Sequence, residues 1–236
     1  LFISTSSINW KELSPLLNAA CRISLSPDAN STIKSSHNVL KQILKSSQKV
    51  YGVNTGFGKL SNVSISSSEL KGLQLNLVRS HACGLGKSLD LGVTRVSMVL
   101  KLMTWAKGYS GIRPLLAKLL VAMLNHDILP LMPRQGSVGA SGDLAPLAHM
   151  ALAMIGEGHV HFQDRIMPSL LALKEANLEP ITLEAKEGLS LINGTQVSTA
   201  LGIRALFESE KLLKIADVSG ALSTEASLST KVVFNP

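Results

Sequence analysis

The sequence predicts a mainly α-helical fold that is interrupted by glycine-rich loops and one small β-hairpin. Apolar residues recur at helical spacing in one segment after another, and residues typical of helix starts and ends bound these segments. The chain has 236 residues, 45% of them hydrophobic, so it is long enough to bury a sizeable core. It contains neither an internal repeat nor a low-complexity linker.

In the first half of the chain, serine, proline and aspartate mark helix starts, and glycine marks helix ends. Ser26-Pro27-Asp28 is a start signal, and Ser66 with Glu69 three residues later forms a capping box. Helices are expected to end near Gly84 and Gly108. These signals predict helices over residues 10–21, 26–47, 66–84 and 90–106, and an irregular glycine-rich loop over residues 51–58.

In the second half, Arg113-Pro114 opens a helix, because proline at the first helical position lacks only an amide hydrogen that has no partner there. The stretch around Gln163-Asp164 is typical of a β-hairpin. The predicted elements are helices over residues 113–126, 143–155, 169–176, 184–191 and 195–227, an extended segment over 129–133 and a hairpin over 159–167.

Composition and charge exclude several classes of function. Charged residues make up only 17% of the chain and the mean hydropathy is +0.26, yet no apolar run approaches the length of a membrane span. The surplus of apolar residues suggests burial against more chain or other subunits. The net charge is +7 with scattered cations; we interpret Lys41, Lys45 and Lys49 as a solvated helix face, not a nucleic-acid-binding stripe.

Metal binding and secretion are not expected either. Cys21 and Cys83 lack metal-like spacing, and two isolated thiols fit the reducing cytoplasm. His159 and His161 alternate on one hairpin face, but no carboxylate or cysteine completes a metal site at suitable spacing. The first thirty residues, which begin at Leu1, predict no signal peptide.

The central stretch of the sequence is Gly136-Ser137-Val138-Gly139-Ala140-Ser141-Gly142-Asp143, a loop with a glycine at every third position. Glycine permits positive φ and close approach of other groups. In a tight loop the Gly142 nitrogen could attack the Ala140 carbonyl carbon, and loss of two waters, one carrying off the Ser141 hydroxyl, would leave a strongly electrophilic ring. Asp143 and Pro146 suit the first turn of the helix that follows.

Taken alone, this loop allows three interpretations: a structural turn, a phosphate-binding cradle, or the precursor of an electrophile. A cradle is the weakest, since no Gly-Lys-Ser/Thr follows and no βαβ pattern surrounds the loop. The whole phrase GSVGASGDLAPLAH resembles the signature of the aromatic amino-acid ammonia-lyases, and most closely their histidine-selective members. The resemblance implies that Ala140, Ser141 and Gly142 form a methylideneimidazolone prosthetic group autocatalytically, with no external cofactor and no metal.

The same resemblance implies roles for residues outside the loop. Tyr51, at the head of YGVNTGFG, matches the tyrosine that acts as the base and removes the β-proton of the substrate. Asn193 in EGLSLINGT matches the asparagine that hydrogen-bonds the prosthetic group. Asp143 is the expected supporting residue, which holds the loop or polarises the cyclising amide.

The pair Ser80-His81 in LVRSHACGLG falls where family members read the substrate side chain. Phenylalanine-selective members carry apolar residues there and tyrosine-selective ones a His-Leu pair, so Ser-His resembles the histidine-selective version. The implied reaction is elimination of ammonia from L-histidine to give trans-urocanate. Alone, each of these residues also has a structural interpretation: a loop-anchoring Tyr51, a packed His81 and a helix-capping Asn193.

The resemblance spans the chain in order but covers only the first half of the family's length. It implies the aspartase-like helical fold, with an N-terminal domain over residues 1–108 and an incomplete helical bundle over 109–236. It also implies a homotetramer and a missing C-terminal half that supplies a tyrosine, an arginine and a glutamate. Lys101, Met103 and Trp105 depart from an expected Arg-x-Asn-x-Leu phrase, and Lys87 replaces a common acidic residue.

The sequence therefore leaves several hypotheses. The first is a histidine-selective ammonia-lyase of the reducing cytoplasm that binds a small-molecule substrate, with no nucleic acid and no membrane. The second is a catalytically incomplete helical fragment that only oligomerises and whose loop never cyclises. The third is a phosphate-binding loop protein, and a phenylalanine or tyrosine ammonia-lyase or an aminomutase is the near alternative to the first.

Overall fold

The computed structural model describes residues 1–46, 49–56, 65, 69–138, 142–230 and 232. Helices dominate these residues, which confirms the predicted fold class. A 3₁₀ turn covers Trp10–Leu13, and the helices are α1 (Ser14–Asn18), α2 (Pro27–Lys45), α3 (Leu70–His81), α4 (Leu91–Ala106), α5 (Pro114–Asn125), α6 (Leu144–Met154), α7 (Ser169–Glu175), α8 (Glu187–Ile192) and α9 (Gln196–Ala226).

The described strands are short and pair in small sheets. They are β1 (Phe2–Ile3), β2 (Ser24–Leu25), β3 (Leu85–Ser88), β4 (Leu129–Pro130), β5 (Pro133–Gln135), β6 (His159–Phe162) and β7 (Arg165–Pro168). The hairpin β6–β7 confirms the predicted one, and both of its turn residues, Gln163 and Asp164, have positive φ as a two-residue type I′ turn requires. The antiparallel pairs β4–β6 and β3–β5 and the parallel pair β1–β2 were not predicted.

The first predicted helix and the lysine row differ from the sequence-based expectation. The helix does not run from residue 10 to 21. Asn9 and Glu12 form a capping box on the 3₁₀ turn, Pro15 offers no amide hydrogen to a continuous ladder, and α1 already ends at Asn18. Helix α2 ends at Lys45, so Lys49 lies beyond it, and only the first two lysines of the row are helical.

Most other helix starts form as predicted. The Ser26 hydroxyl accepts a hydrogen bond from the Ala29 amide, and the Asp90 side chain accepts one from the Gly92 amide. Helix α3 is an exception, since it begins at Leu70 and not at the Ser66 start that the capping box predicts. Ser66 lies outside the described residues, so the capping box with Glu69 stays a prediction.

The core of the region Leu1–Ala200 is built around α4. Met98, Leu102 and Trp105 are fully buried, and α4 packs against α1, α2 and α5. The contact with α1 requires glycine, because a Cβ on Gly92 would lie only 2.1 Å from the Leu17 carbonyl oxygen. Helices α3, α6 and α8 pack against one another in pairs, and His81, Asp143 and Asn193 lie at their ends.

The residues form two units, Leu1–Ala200 and Leu201–Pro236. In the second unit, helical apolar side chains such as Leu212, Ile215 and Leu222 are exposed. The domain boundary after residue 108 stays a prediction. Cys21 and Cys83 are free, and the cytoplasmic location likewise stays a prediction. Of the helices in the described part, none has the length and hydropathy to cross a bilayer.

Candidate active site

The central loop turns sharply at both of its described ends. Gly136 and Gly142 each have a φ of +140°, a conformation that favours glycine. A Cβ on Gly136 would lie 3.0 Å from the Ala145 Cβ and 3.1 Å from the Gly84 Cα, so the loop entrance packs directly against the turn that follows α3. Ala140 and Ser141 lie outside the described residues, whereas Gly142 is described and buried.

Gly142 contacts the turn that contains Asn193. A Cβ on Gly142 would lie 2.9 Å from both the Gly194 nitrogen and oxygen and 3.2 Å from Asn193 Oδ1. The neighbouring Asp143 amide donates a hydrogen bond of 2.7 Å to the Gly194 carbonyl oxygen. Two residues that are 51 positions apart and were singled out separately in the sequence are therefore brought together, and only glycine fits at position 142.

Asp143 is buried and joins the central loop to the start of α9. Its Oδ1 accepts hydrogen bonds from the Ser137 hydroxyl at 2.9 Å and the Ser198 hydroxyl at 2.6 Å, and its Oδ2 accepts one from the Ser198 amide at 2.7 Å. Ser198 is in the first turn of α9, where amide groups lack helical partners. The sequence placed this carboxylate at the start of α6, but its side chain caps α9 instead.

Lys101 lies beneath the same turn and is fully buried in the described structure. Its Nζ donates hydrogen bonds to the carbonyl oxygens of Asn193 at 3.0 Å and Ser190 at 3.3 Å, at the carboxyl end of α8. Burial lowers the pKa of Lys101 to about 7, and the charge of Asp143 acts in the opposite direction. The sequence had marked Lys101 only as a departure from the family phrase.

His81 is the last residue of α3 and is half-buried. Its Nδ1 lies 2.8 Å from the Leu77 carbonyl oxygen, which can only accept, so Nδ1 carries the proton and the Nε2 of a neutral ring is an acceptor. The Ser80 hydroxyl lies 3.2 Å from the same Nδ1. This side of the site is considerably more open than the surroundings of Asp143.

The turn after His81 is fixed to α6 by a histidine whose contact the sequence did not predict. The Gly84 amide donates a hydrogen bond of 3.1 Å to His149 Nε2, and burial lowers the pKa of His149, which favours the neutral ring that this bond needs. The position of His149 as the last residue of the phrase GSVGASGDLAPLAH was the only signal available in the sequence.

Tyr51 is 58% exposed and lies apart from these contacts. It lines a pocket of about 310 Å³ together with residues of α2, Tyr109 and Lys186. The structure thus joins Gly142, Asp143 and Asn193 by direct contacts and brings the turn beyond His81 against the loop. The described contacts of Tyr51 are with a different set of residues.

No convergent group of three or more histidine, cysteine, aspartate or glutamate side chains occurs in the described part of the chain. The fit of a methylideneimidazolone rests instead on the loop itself. The close approach of Gly194 and Asn193 leaves room at position 142 only for glycine, the residue that the ring requires there.

Comparison with known proteins decides the family. The family model described as aromatic amino acid lyase matches residues 8–236. The chain belongs to the aromatic amino acid lyase family. A histidine ammonia-lyase of Aliivibrio fischeri is 44% identical to it over 236 residues, which are 100% of this chain and 46% of that protein.

Solved structures of aromatic amino acid lyases and their relatives share the fold. The histidine ammonia-lyase of Trypanosoma cruzi superposes with a TM-score of 0.91 at 36% identity, over 100% of this chain and 46% of that one. An ergothioneine-degrading enzyme of Treponema denticola superposes with a TM-score of 0.92 at 28% identity, over 95% and 45% of the two chains.

This lyase chain spans about half the length of the curated relatives it matches, and the matching part is their N-terminal half. The predicted membership and the predicted N-terminal extent are therefore confirmed. Because the solved neighbours include enzymes named for different substrates, the shared fold alone does not define the substrate.

Proposed function

We propose that this chain is part of a histidine ammonia-lyase that converts L-histidine to trans-urocanate and ammonia. The observation that carries the proposal is the contact between Gly142 and the Asn193–Gly194 turn. It sets the last residue of the Ala-Ser-Gly segment against an amide side chain, with a buried carboxylate one residue away. A plain structural turn needs neither group.

The chemistry we infer for the segment 140–142 is cyclisation to a methylideneimidazolone. When formed, that ring supplies an electrophile that makes the substrate amine a better leaving group. The Asn193 amide is close enough to Gly142 to hydrogen-bond such a group and to stabilise charge that develops on it. The Asp143 carboxylate accepts a hydrogen bond from the Ser137 hydroxyl at the start of the loop. At the end of the loop, the Asp143 amide donates to the Gly194 carbonyl oxygen.

The substrate side chain is proposed to lie at the end of α3. Because His81 Nδ1 donates to a backbone carbonyl, the Nε2 of its neutral ring can accept a hydrogen bond from an imidazole N–H. Ser80 is beside it and contributes a hydroxyl. The high identity with proteins named histidine ammonia-lyase supports the same choice of substrate.

Tyr51 is proposed as the base that removes the β-proton. Its exposed position leaves the phenol accessible to a substrate, and Lys186 lines the same pocket. The remaining groups, namely a second tyrosine, an arginine for the substrate carboxylate and a glutamate, are proposed to come from the C-terminal half of the family's length. A homotetramer is proposed for the whole protein on the same resemblance.

Intact mass spectrometry of the full-length protein tests this function first. We expect each chain to weigh less than its translated sequence by two waters. Ser141→Ala should lose at most one water, because alanine has no hydroxyl to eliminate in the second dehydration. Ultraviolet absorbance then measures urocanate formed from L-histidine. An unmodified mass together with no product would support the catalytically incomplete fragment and refute the proposal.

Two further measurements separate the remaining alternatives. Thermal stabilisation by nucleotides or inorganic phosphate would favour a phosphate-binding loop, and we expect none. Release of cinnamate or coumarate, or of a β-amino acid, in preference to urocanate would assign the protein to the phenylalanine or tyrosine lyases or the aminomutases.

A further inference from the structure

Helix α8 carries Asn193 at its carboxyl end but is too short to hold a position by itself. It covers only Glu187–Ile192, and an isolated helix of this length is not stable in water. Its position must therefore come from tertiary contacts. The amino end is fixed by the buried Glu187, whose carboxylate accepts hydrogen bonds from Arg113 Nε at 2.8 Å and Nη2 at 2.7 Å.

The middle of α8 is fixed by Gln74 of α3. The Leu189 amide donates to Gln74 Oε1 at 3.1 Å, and a Cβ on Gly188 would lie 2.6 Å from the Gln74 carbonyl oxygen. In addition, the Ser190 hydroxyl donates a hydrogen bond to the Ser110 carbonyl oxygen at 2.9 Å. These contacts hold the body of the helix and do not reach the turn at Asn193–Gly194.

The carboxyl end of α8 is held by Lys101. The last carbonyl groups of a helix lack helical partners, and a cation is favourable beside them. Lys101 Nζ satisfies the carbonyls of Ser190 and Asn193 from inside the core. The same turn is contacted by Asp143, whose charge acts on Lys101 and whose amide donates a hydrogen bond of 2.7 Å to the Gly194 carbonyl oxygen.

We propose that Lys101 is a positioning residue, which fixes the Asn193–Gly194 turn against Gly142 by holding the Asn193 carbonyl from below. Burying an amine carries a large desolvation cost, and a water molecule or a neutral polar side chain could also donate hydrogen bonds to these two carbonyl groups. Its use here is explained if the turn must stay in place while the segment 140–142 reacts. This inference rests on the proposed function, since it assigns Lys101 to the same site.

The test compares three variants of the full-length protein. Lys101→Met removes the donors and keeps the length of the side chain, whereas Lys101→Arg keeps buried N–H donors. Ser190→Ala is the matched control, because it removes a different anchor of the same helix and leaves both carbonyls in place. Hydrogen exchange of the Asp143 amide, which donates to Gly194, reports the position of the turn, and the loss of two waters reports ring formation.

We expect Lys101→Met to raise exchange at Asp143 and to slow ring formation on the order of 100-fold, the effect of misplacing a reacting group by about 1 Å. Lys101→Arg should recover most of both, and Ser190→Ala should change neither by more than about twofold. Exchange and ring formation at wild-type rates in a folded Lys101→Met protein would overturn the proposal. So would equal effects of Lys101→Met and Ser190→Ala, which would indicate only a loosened helix.

The measurements distinguish a failure of the proposed function from a failure of the role proposed for Lys101. If the proposed function fails, the wild-type protein would never lose the two waters, and the exchange comparison alone would decide the role of Lys101. If Lys101→Met does not fold, Lys101→Arg decides instead: it should then keep the Asp143 amide protected to within about twofold of the wild type, and strong deprotection in this folded variant would overturn the proposal.

Discussion

Two parts of the candidate site are built in opposite ways. The base of the site, Lys101, Gly142 and Asp143, is buried, and each residue is held by contacts to another element. The rim, Ser80 and His81 at the end of α3, is exposed or half-buried, and its described hydrogen bonds are within α3 itself. Substitutions in the base should therefore alter stability and chemistry together, whereas those in the rim should alter chemistry with little effect on stability.

The largest expected effect is that of Gly142→Ala. The new Cβ would lie 2.9 Å from Gly194 backbone atoms, and the alanine would have to adopt a φ of +140°, which is strained for any residue with a Cβ. We therefore expect the free energy of unfolding to fall by about 3 kcal/mol or more. Ring formation should be abolished, and urea denaturation with intact mass measures both.

Gly72→Ala is the matched control for this substitution. Gly72 is within α3, and a Cβ there would meet nothing within 4 Å, so alanine should stabilise the protein by about 0.5–1 kcal/mol. If Gly142→Ala were tolerated as well as Gly72→Ala, the close packing of the base against Asn193 would be wrong.

The pH dependence of stability tests the burial of Lys101. Its folded pKa of about 7 lies below the unfolded value of 10.5, so between these values the unfolded chain binds one more proton. The free energy of unfolding should therefore rise with pH from about 7 to 10.5, by at most about 1.4 kcal/mol per pH unit. Below pH 7 this contribution is constant.

The same measurement on Lys101→Met isolates this residue. Burial also lowers the pKa of Lys186, which contributes a slope of the same sign and persists in the variant. The slope that disappears on substitution belongs to Lys101. Parallel curves for the two proteins between pH 7 and 10 would mean that Lys101 is not held in an apolar environment.

A smaller effect is expected for Asp143→Asn. The Ser198 amide and hydroxyl both donate to the Asp143 carboxylate, and the side-chain NH₂ of asparagine would place a donor against one of these two donors. The substitution would also remove the negative charge that acts on Lys101. We expect a loss of about 2 kcal/mol, measured by thermal or urea unfolding. Asp164→Asn is the control, because Asn tolerates the positive φ of that turn residue and should cost nothing. Equal stability of the two variants would contradict the contacts of Asp143.

The contrast between base and rim also explains what the sequence could predict. The helices and the hairpin have local signals, such as Ser26-Pro27 and Gln163-Asp164, and these were largely confirmed. The contact of Gly142 with Asn193 and the cap that Asp143 provides to Ser198 join positions 51 and 55 residues apart, so no local pattern could contain them. The family resemblance singled out Gly142, Asp143 and Asn193 but not their geometry.

Lys101 illustrates the limit most clearly. In the sequence it is one lysine in an apolar helix and a departure from a family phrase, and a lysine is usually exposed. Its burial follows from where the carbonyls of α8 end, and that is a property of the assembled core. Trp105, in the same phrase, is simply packed in the core.

The smallest expected effect on stability is that of His81→Leu in the rim. His81 is half-buried, and its described hydrogen bonds are to its own helix and to Ser80, so its loss should cost no more than about 1 kcal/mol. Activity on L-histidine should nevertheless fall strongly relative to activity on an aromatic amino acid without an imidazole, because the acceptor at Nε2 is gone. The ratio of kcat/KM for the two substrates measures this change.

His159→Leu, on the exposed face of the hairpin, is the control for this substitution and should leave that ratio unchanged. A His81→Leu protein that keeps the wild-type ratio would remove the rim at α3 from substrate selection, and a large loss of stability would show that His81 belongs to the base.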